Sequence, residues 1–180
     1  MKEIEVKILD IDKEKIVTKL LDLGAKKVFE GDMNIEFFDY PDKRLKNENK
    51  ILRLRTKGDQ AELTFKHALS REGVKIAEEI ETHTDDFETT REIIEQIGLK
   101  LLIQTQKHRE SYLLQISEKE KIQFEFDTHK GIPTFLEIEA SSVELVETYV
   151  NKLGFNMQDT TTMNGKQVME KYGQKLSKLF

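Results

Sequence analysis

Along this chain, charged residues recur two positions apart inside short apolar runs. The series reads Glu3-Ile4-Glu5-Val6-Lys7, Arg53-Leu54-Arg55 with Lys57, Glu62-Leu63-Thr64-Phe65-Lys66, Glu79-Ile80-Glu81, Lys107-His108-Arg109, Glu125-Phe126-Asp127 and Glu137-Ile138-Glu139. In an extended strand residues i and i+2 share a face, so each segment presents its charges on one side and its apolar side chains on the other. The two signs of charge point to two kinds of chemistry. Clustered carboxylates supply the oxygen ligands that Mg²⁺ or Mn²⁺ takes. Arginine and lysine neutralise phosphate oxygens and stabilise a transferring phosphoryl group. A cavity offering both suits a triphosphate.

The elements that would position these residues are mostly strands, expected at 2–9, 34–40, 50–57, 60–67, 77–83, 104–116, 121–128 and 133–140, with Gly58-Asp59 as a tight hairpin turn. Helical periodicity marks 12–23 through Ile16, Val17, Leu20 and Leu23, 86–97 through Phe87, Ile93, Ile94 and Ile97, and 142–153 through Val143, Val146, Tyr149, Val150 and Leu153. Each is followed by a glycine in the helix-terminating position: Gly24, Gly98 and Gly154. A fourth helix fits 164–179 through Val168, Tyr172, Leu176 and Leu179, with Asn164 as its N-cap. The segment 68–76 reads as a solvated hairpin carrying Arg71 and Lys75, and the basic stretch Lys43, Arg44, Lys46, Lys50 as a solvated loop.

Two architectures accommodate this alternation. An antiparallel sheet can rest its apolar face on a core and leave its charged face in water. Alternatively, eight strands can close into a barrel turned inside out, with apolar faces outward under the helices and charges lining the interior. Same-sign pairs on nearly every strand weigh against the first, because neighbouring like charges destabilise a sheet. In the second, buried charges require partners or ligands: a polyanion for the cations and hard metal ions for the carboxylates.

Composition narrows the class. The chain has 180 residues, 35% of them charged, with 29 Lys+Arg against 34 Asp+Glu and a net charge of −5. That length suits a single domain spanning 1–180 with a substantial core. The acidic balance argues against a general nucleic-acid binder. No run approaches the ~18 apolar residues of a membrane span. A strand-like run from Glu3 leaves no room for a signal peptide, so the expectation is a cytoplasmic protein. With no cysteine, thiolate metal sites, disulfides and thiol nucleophiles are excluded. His67, His83, His108 and His129 lack zinc-ligand spacing, and His108 falls on the face opposite Lys107 and Arg109. P-loop, dinucleotide-binding and serine-hydrolase signatures are missing as well.

The ordered set of segments resembles the CYTH family, the triphosphate tunnel metalloenzymes. Glu3-Ile4-Glu5-Val6-Lys7 matches its N-terminal ExExK signature, and Phe38-Asp39, Leu52-Arg53-Leu54-Arg55, Leu63-Thr64-Phe65-Lys66 and the later pairs follow in order over residues 3 to about 172. The resemblance implies an α+β fold: an eight-stranded, mainly antiparallel closed β-barrel with a charged interior and helices packed outside. It implies Mg²⁺ or Mn²⁺ held by Glu3, Glu5, Asp127, Glu137 and Glu139, and phosphate oxygens gripped by Lys7, Arg53, Arg55, Lys66, Lys107 and Arg109. Lys66, Glu79, Glu81 and Lys107 are implied in catalysis, the two glutamates orienting cations or a water. Family members act on triphosphates as triphosphatases or class IV adenylyl cyclases. The expected partner is thus a small molecule (ATP, thiamine triphosphate or tripolyphosphate), with a homodimer as an option and no membrane or nucleic-acid partner. Hydrolysis is the leading expectation, because water is a less demanding nucleophile than a positioned ribose hydroxyl. Cyclisation of ATP and non-catalytic polyphosphate binding are the alternatives. Two positions depart from the family pattern. Phe37 stands where a tyrosine is common, which argues against an efficient tripolyphosphatase, and Ala77 where an arginine often precedes the third Glu-x-Glu pair.

Overall fold

A computed structural model describes residues 2–174. Its nine strands are β1 (Lys2–Ile8), β2 (Lys26–Asp39), β3 (Lys50–Lys57), β4 (Gln60–Ser70), β5 (Lys75–Thr84), β6 (Lys100–Gln115), β7 (Lys121–Thr128), β8 (Phe135–Ala140) and β9 (Thr160–Thr161). The spatial order is β5-β4-β3-β2-β6-β7-β8-β1, and pairing of β5 with β1 closes the sheet into an eight-stranded antiparallel barrel. The two residues of β9 pair with Lys7 and Ile8, continuing the edge of β1 that β5 occupies further back.

Five helices accompany the strands: α1 (Lys13–Asp22), α2 (Arg44–Asn47), α3 (Phe87–Gln96), α4 (Val143–Lys152) and α5 (Gly165–Lys171). The Asp12, Asp86, Ser142 and Asn164 side chains accept from backbone N–H groups in the first turns of α1, α3, α4 and α5, supplying partners that helix geometry leaves wanting. Gly24 ends α1 at φ +87°, a conformation that would strain other residues. The last helix stops at Lys171; Leu176 and Leu179, expected to continue it, lie outside the described residues.

The hydrophobic core lies outside the barrel wall. Ile4, Val6 and Ile8 of β1, Phe124 and Phe126 of β7 and Ile138 of β8 are nearly or fully buried against Ile16 and Leu20 of α1 and Val146 and Val150 of α4. Burying each such side chain contributes about 1.5–3 kcal/mol. A second cluster packs Ile94 of α3 over Phe38, Leu54 and Ala61. A third sets Val168 of α5 against Phe135 and Ile132.

Three expectations change. β2 starts at Lys26 rather than 34, because β6 extends from 100 to 115 and gives this Gly- and Asp-containing stretch a partner along its length. Pairing here overrides weak strand propensity. The basic stretch near Lys43 is not a solvated loop throughout: Asp39 accepts from the backbone N–H groups of Tyr40, Leu45 and Lys46, winding Arg44–Asn47 into one turn of helix. Most of 68–76 is strand, and Lys75 pairs across the barrel interior instead of lying in a solvated hairpin.

Candidate active site

Register in an antiparallel ladder places directly opposed residues on the same face. Around the closed sheet, the opposed pairs are Arg53 with Thr64, Arg55 with Glu62, Lys66 with Glu79, Thr64 with Glu81, Glu5 with Lys75, Lys7 with Glu137, Glu5 with Glu139, Glu125 with Glu137, and Arg109 with Asp127. Every one of these residues except Thr64 is recorded along a single interior cavity of about 580 Å³, together with Glu3 and Lys107. All thirteen residues expected at the site on sequence grounds line this cavity. Apolar residues between them, such as Ile4, Val6, Leu54, Phe126 and Ile138, face outward into the core, whereas Ile80, between Glu79 and Glu81, faces outward to solvent.

Inside, positive and negative side chains are interleaved. Lys66 Nζ contacts Glu3 at 2.6 Å and Glu79 at 2.5 Å, and Lys7 Nζ lies 2.6 Å from Glu5 and 2.8 Å from Glu137. Lys75 reaches Glu5 at 2.8 Å. Arg109 grips both oxygens of Asp127 at 2.6 Å and contacts Glu125, while Lys107 reaches Asp127 at 2.8 Å. Arg53 donates to Thr64 at 3.1 Å, and Thr64 in turn donates to Glu81. Arg55 and Lys57 both bind Glu62, which is almost wholly buried.

Burial and crowding perturb these groups in opposite senses. Burial pushes the Lys107 ammonium down to about 8, and neighbouring Arg109 pushes the same way against the pull of Asp127. Burial and the adjacent Arg55 and Arg109 charges lower Arg53 to about 10. Burial would raise Asp127, yet Arg109 and Lys107 hold it at about 2. Glu137 likewise sits well below the usual carboxylate range because Lys7, Arg109 and Lys107 outweigh its burial. Glu139 goes the other way. Burial raises it well above that range, and Glu3 and Glu125 add to the effect.

Glu139 belongs to the arrangement best suited to a metal. Glu125, Glu137 and Glu139, on the adjacent strands β7 and β8, each offer an oxygen within 4.8 Å of the others. The donors are hard oxygens, and the raised Glu139 marks an excess of negative charge that a divalent cation would neutralise; the residues therefore fit Mg²⁺ or Mn²⁺. Of this trio, Glu125 was visible on the charged face but not singled out as a ligand. Glu3, Glu5 and Asp127 engage Lys66, Lys7 with Lys75, and Arg109 with Lys107, and within the trio Glu137 and Glu125 also contact Lys7 and Arg109.

The two mouths of the cavity differ. One is framed by Lys57, Glu62, His83, Lys121 and Gln123, at the ends of their strands. The other lies between α2 and α5, where Ile51, Phe37, Ile103, Phe135 and Met169 face the cavity. Here His129 is 5% exposed and stacks parallel on Phe135, with ring centres 6.0 Å apart. Its Nδ1 has no hydrogen-bond partner, and burial lowers its pKa, with Asp127 opposing. Outside the barrel, His108 pairs with Asp32 at 2.7 Å, as its parity on β6 requires. Tyr172 donates to Asp10 at 2.6 Å beside the α5 cluster.

The strands thus close an antiparallel tunnel lined with interleaved carboxylates and cations. The chain belongs to the CYTH domain family, whose pattern matches residues 1–162. It is 32% identical over 150 residues to a protein of Methanocaldococcus jannaschii that is provisionally named an adenylate cyclase, covering 82% of this chain and 81% of the relative. Among solved structures, a protein of Vibrio parahaemolyticus, also provisionally named an adenylate cyclase, superposes with a TM-score of 0.76 at 16% identity, covering 93% of this chain and 97% of that one. A Hippeastrum protein described as a provisional adenylyl cyclase with a dominant triphosphatase activity superposes at 0.64 with 17% identity, covering 97% of each chain.

Proposed function

We propose that this protein is a divalent-cation-dependent enzyme that hydrolyses the triphosphate group of its substrate. One observation carries the reading: the Glu125, Glu137 and Glu139 trio opens onto the same cavity as Arg53, Arg55, Lys66, Lys107 and Arg109. Glu125, Glu137 and Glu139 would hold the cation, which when bound supplies Lewis-acid polarisation of the phosphoryl oxygens.

The remaining chemistry belongs to the chain. In the free protein, carboxylates stand where phosphate oxygens would bind: Glu3 and Glu79 at Lys66, Asp127 at Lys107 and Arg109, Glu137 at Lys7. A triphosphate would take over part of these contacts. Arg53, Arg55 and Arg109 then present guanidinium donors to charge developing on the leaving phosphate. Glu79 and Glu81, beside Lys66 and Arg53, are placed to orient an attacking water and accept its proton. Lys107, whose proton is loosely held, supplies charge to the phosphate chain at neutral pH.

Cyclisation of ATP is the second reading, supported by the apolar mouth between α2 and α5, which gives a base somewhere to sit. The name of the Methanocaldococcus jannaschii relative points the same way, while the activity described for the Hippeastrum protein favours hydrolysis. The deciding test incubates purified protein with ATP, thiamine triphosphate or tripolyphosphate, each with Mg²⁺ or Mn²⁺, and quantifies phosphate, pyrophosphate and cyclic AMP. Phosphate without cyclic AMP is expected. Cyclic AMP with matching pyrophosphate would replace hydrolysis by cyclisation, and metal-independent binding without turnover would leave only a binding module.

A further inference from the structure

We propose that Glu30, His108 and Glu110, on the outer face of the β2–β6 ladder, form a second metal site, one that takes a borderline divalent ion such as Zn²⁺. The site is separate from the tunnel, since none of the three residues lines the cavity, and it stands or falls independently of the triphosphate reading.

Register assembles the ligands. Glu30 opposes Glu110, and in the next outward row Asp32 opposes His108. Glu30, His108 and Glu110 each offer a ligand atom within 4.8 Å of the other two. Asp32 sets the imidazole for the task. Its carboxylate accepts from Nδ1 at 2.7 Å, so Nδ1 holds the proton and Nε2 keeps its lone pair. Nε2 lies 3.8 Å from a Glu30 oxygen, too far for a hydrogen bond but near the roughly 3.4 Å that separates two ligands of a tetrahedral zinc ion. A carboxylate behind a ligating imidazole is the usual support for such an ion. The nitrogen donor favours Zn²⁺ here, whereas the oxygen-only trio in the tunnel suits Mg²⁺ or Mn²⁺.

A cation already sits between the two glutamates. Like charges opposed across a ladder repel, and Lys27 relieves this pair by contacting Glu30 at 2.7 Å and Glu110 at 2.9 Å. Lys13 of α1 binds Glu110 from the other side. The Lys27 side chain is 40% exposed and can swing into solvent on its flexible stem. With Lys27 withdrawn, Glu30, Asp32 and Glu110 face Lys13 alone, which leaves two negative charges, the charge of one divalent ion. The location gives the ion a consequence. Among the described residues β2 pairs with β3 from Ile35 to Phe38, so its stretch before Asn34 has β6 as its sheet neighbour on one side only. An ion shared by Glu30, His108 and Glu110 would staple that stretch to β6.

Calorimetry would titrate Zn²⁺ into the protein in excess Mg²⁺, which competes for the oxygen ligands of the tunnel. The expected signature is a Zn²⁺-binding event that survives Glu137→Ala, where the tunnel trio is broken, and disappears in His108→Gln. Asp32→Ala, which removes the support behind the imidazole, should weaken it about ten- to hundredfold. Lys27→Met removes the competing ammonium and should tighten it about two- to fivefold, the size of an exposed ion pair. Hydrogen exchange gives a second readout: Zn²⁺ should slow the amides of 28–33 in the unaltered protein and leave them unmoved in His108→Gln. Absence of any Zn²⁺ binding that survives Glu137→Ala, or its persistence in His108→Gln, would overturn the proposal. So would unchanged or weaker binding in Lys27→Met, which would show that the ammonium and the ion do not share a place.

Discussion

In the free protein Lys107 should lose its proton as the pH rises through about 8, and a bound phosphate chain should restore it. Burial and Arg109 bring its ammonium from the ordinary 10.5 down to about 8, so keeping it charged inside the barrel costs about 3 kcal/mol relative to water. The sign follows from the direction of the shift. A lysine whose folded value is depressed penalises the folded state fully below about pH 8, and that penalty is relieved as pH rises toward the unfolded value. A bound polyanion acts oppositely, favouring the charged amine and drawing a proton onto it. In metal-free buffer, tripolyphosphate binding should therefore take up roughly three quarters of a proton at about pH 8.5 and only about a tenth at pH 7. Calorimetry in two buffers of different ionisation enthalpy measures this uptake, and ¹³C-labelled lysine NMR reads the Lys107 midpoint directly. In Lys107→Arg the guanidinium stays charged, so the pH-dependent uptake should disappear while tripolyphosphate still binds. Uptake persisting in that variant, or an NMR midpoint near 10.5, would refute the reasoning.

Other substitutions separate the roles assigned in the cavity. Glu137→Ala should abolish metal-dependent turnover while circular dichroism reports an intact fold; full activity would remove Glu137 from the metal trio. Lys66→Ala should weaken triphosphate binding by about tenfold or more, the loss of a charge-assisted contact, with a smaller change in metal affinity, both read by calorimetry. Asp39→Ala removes the acceptor of three backbone N–H groups, two of them in α2, and should lower stability by about 1–2 kcal/mol in urea denaturation, with faster amide exchange confined to residues 40–47.

Parity along each strand was the most readable feature of the chain, because one face of a closed barrel is wholly inside and the other wholly outside. Parity thus put Glu3, Arg53, Lys107 and Glu137 on the charged faces of their strands without knowing which strands were neighbours, and the family resemblance turned those faces inward. Which side chains meet is a different matter, set by register between segments far apart in the chain. Glu125 joins Glu137 and Glu139 only because β7 and β8 pair with those residues opposed or adjacent. Lys75 was missed for a local reason: β5 begins two residues earlier than its Glu-x-Glu motif required, placing this lysine on the inward parity opposite Glu5. His129 lies just past the end of β7, where alternation is hard to extrapolate, and nothing in its neighbours signals the stack with Phe135. The early start of β2 depended on partner residues 74 (Met33 with Lys107) to 87 (Lys26 with Leu113) positions away in the chain.

Because the core lies outside the wall and the ionic cavity inside it, the two faces of every strand answer to separate demands. Val6 and Ile138 answer to the helices that cover them, and Lys7 and Glu137 to whatever occupies the tunnel. Exchanging one inward charge for another leaves the helix packing untouched, so catalytic specificity can drift while the scaffold stands still. Insertion or deletion of a single residue within a strand is the opposite kind of event. It sends that strand's isoleucines into the ionic interior and its glutamates under the helices, so the length of each strand is guarded more strictly than the identity of any side chain it displays inward.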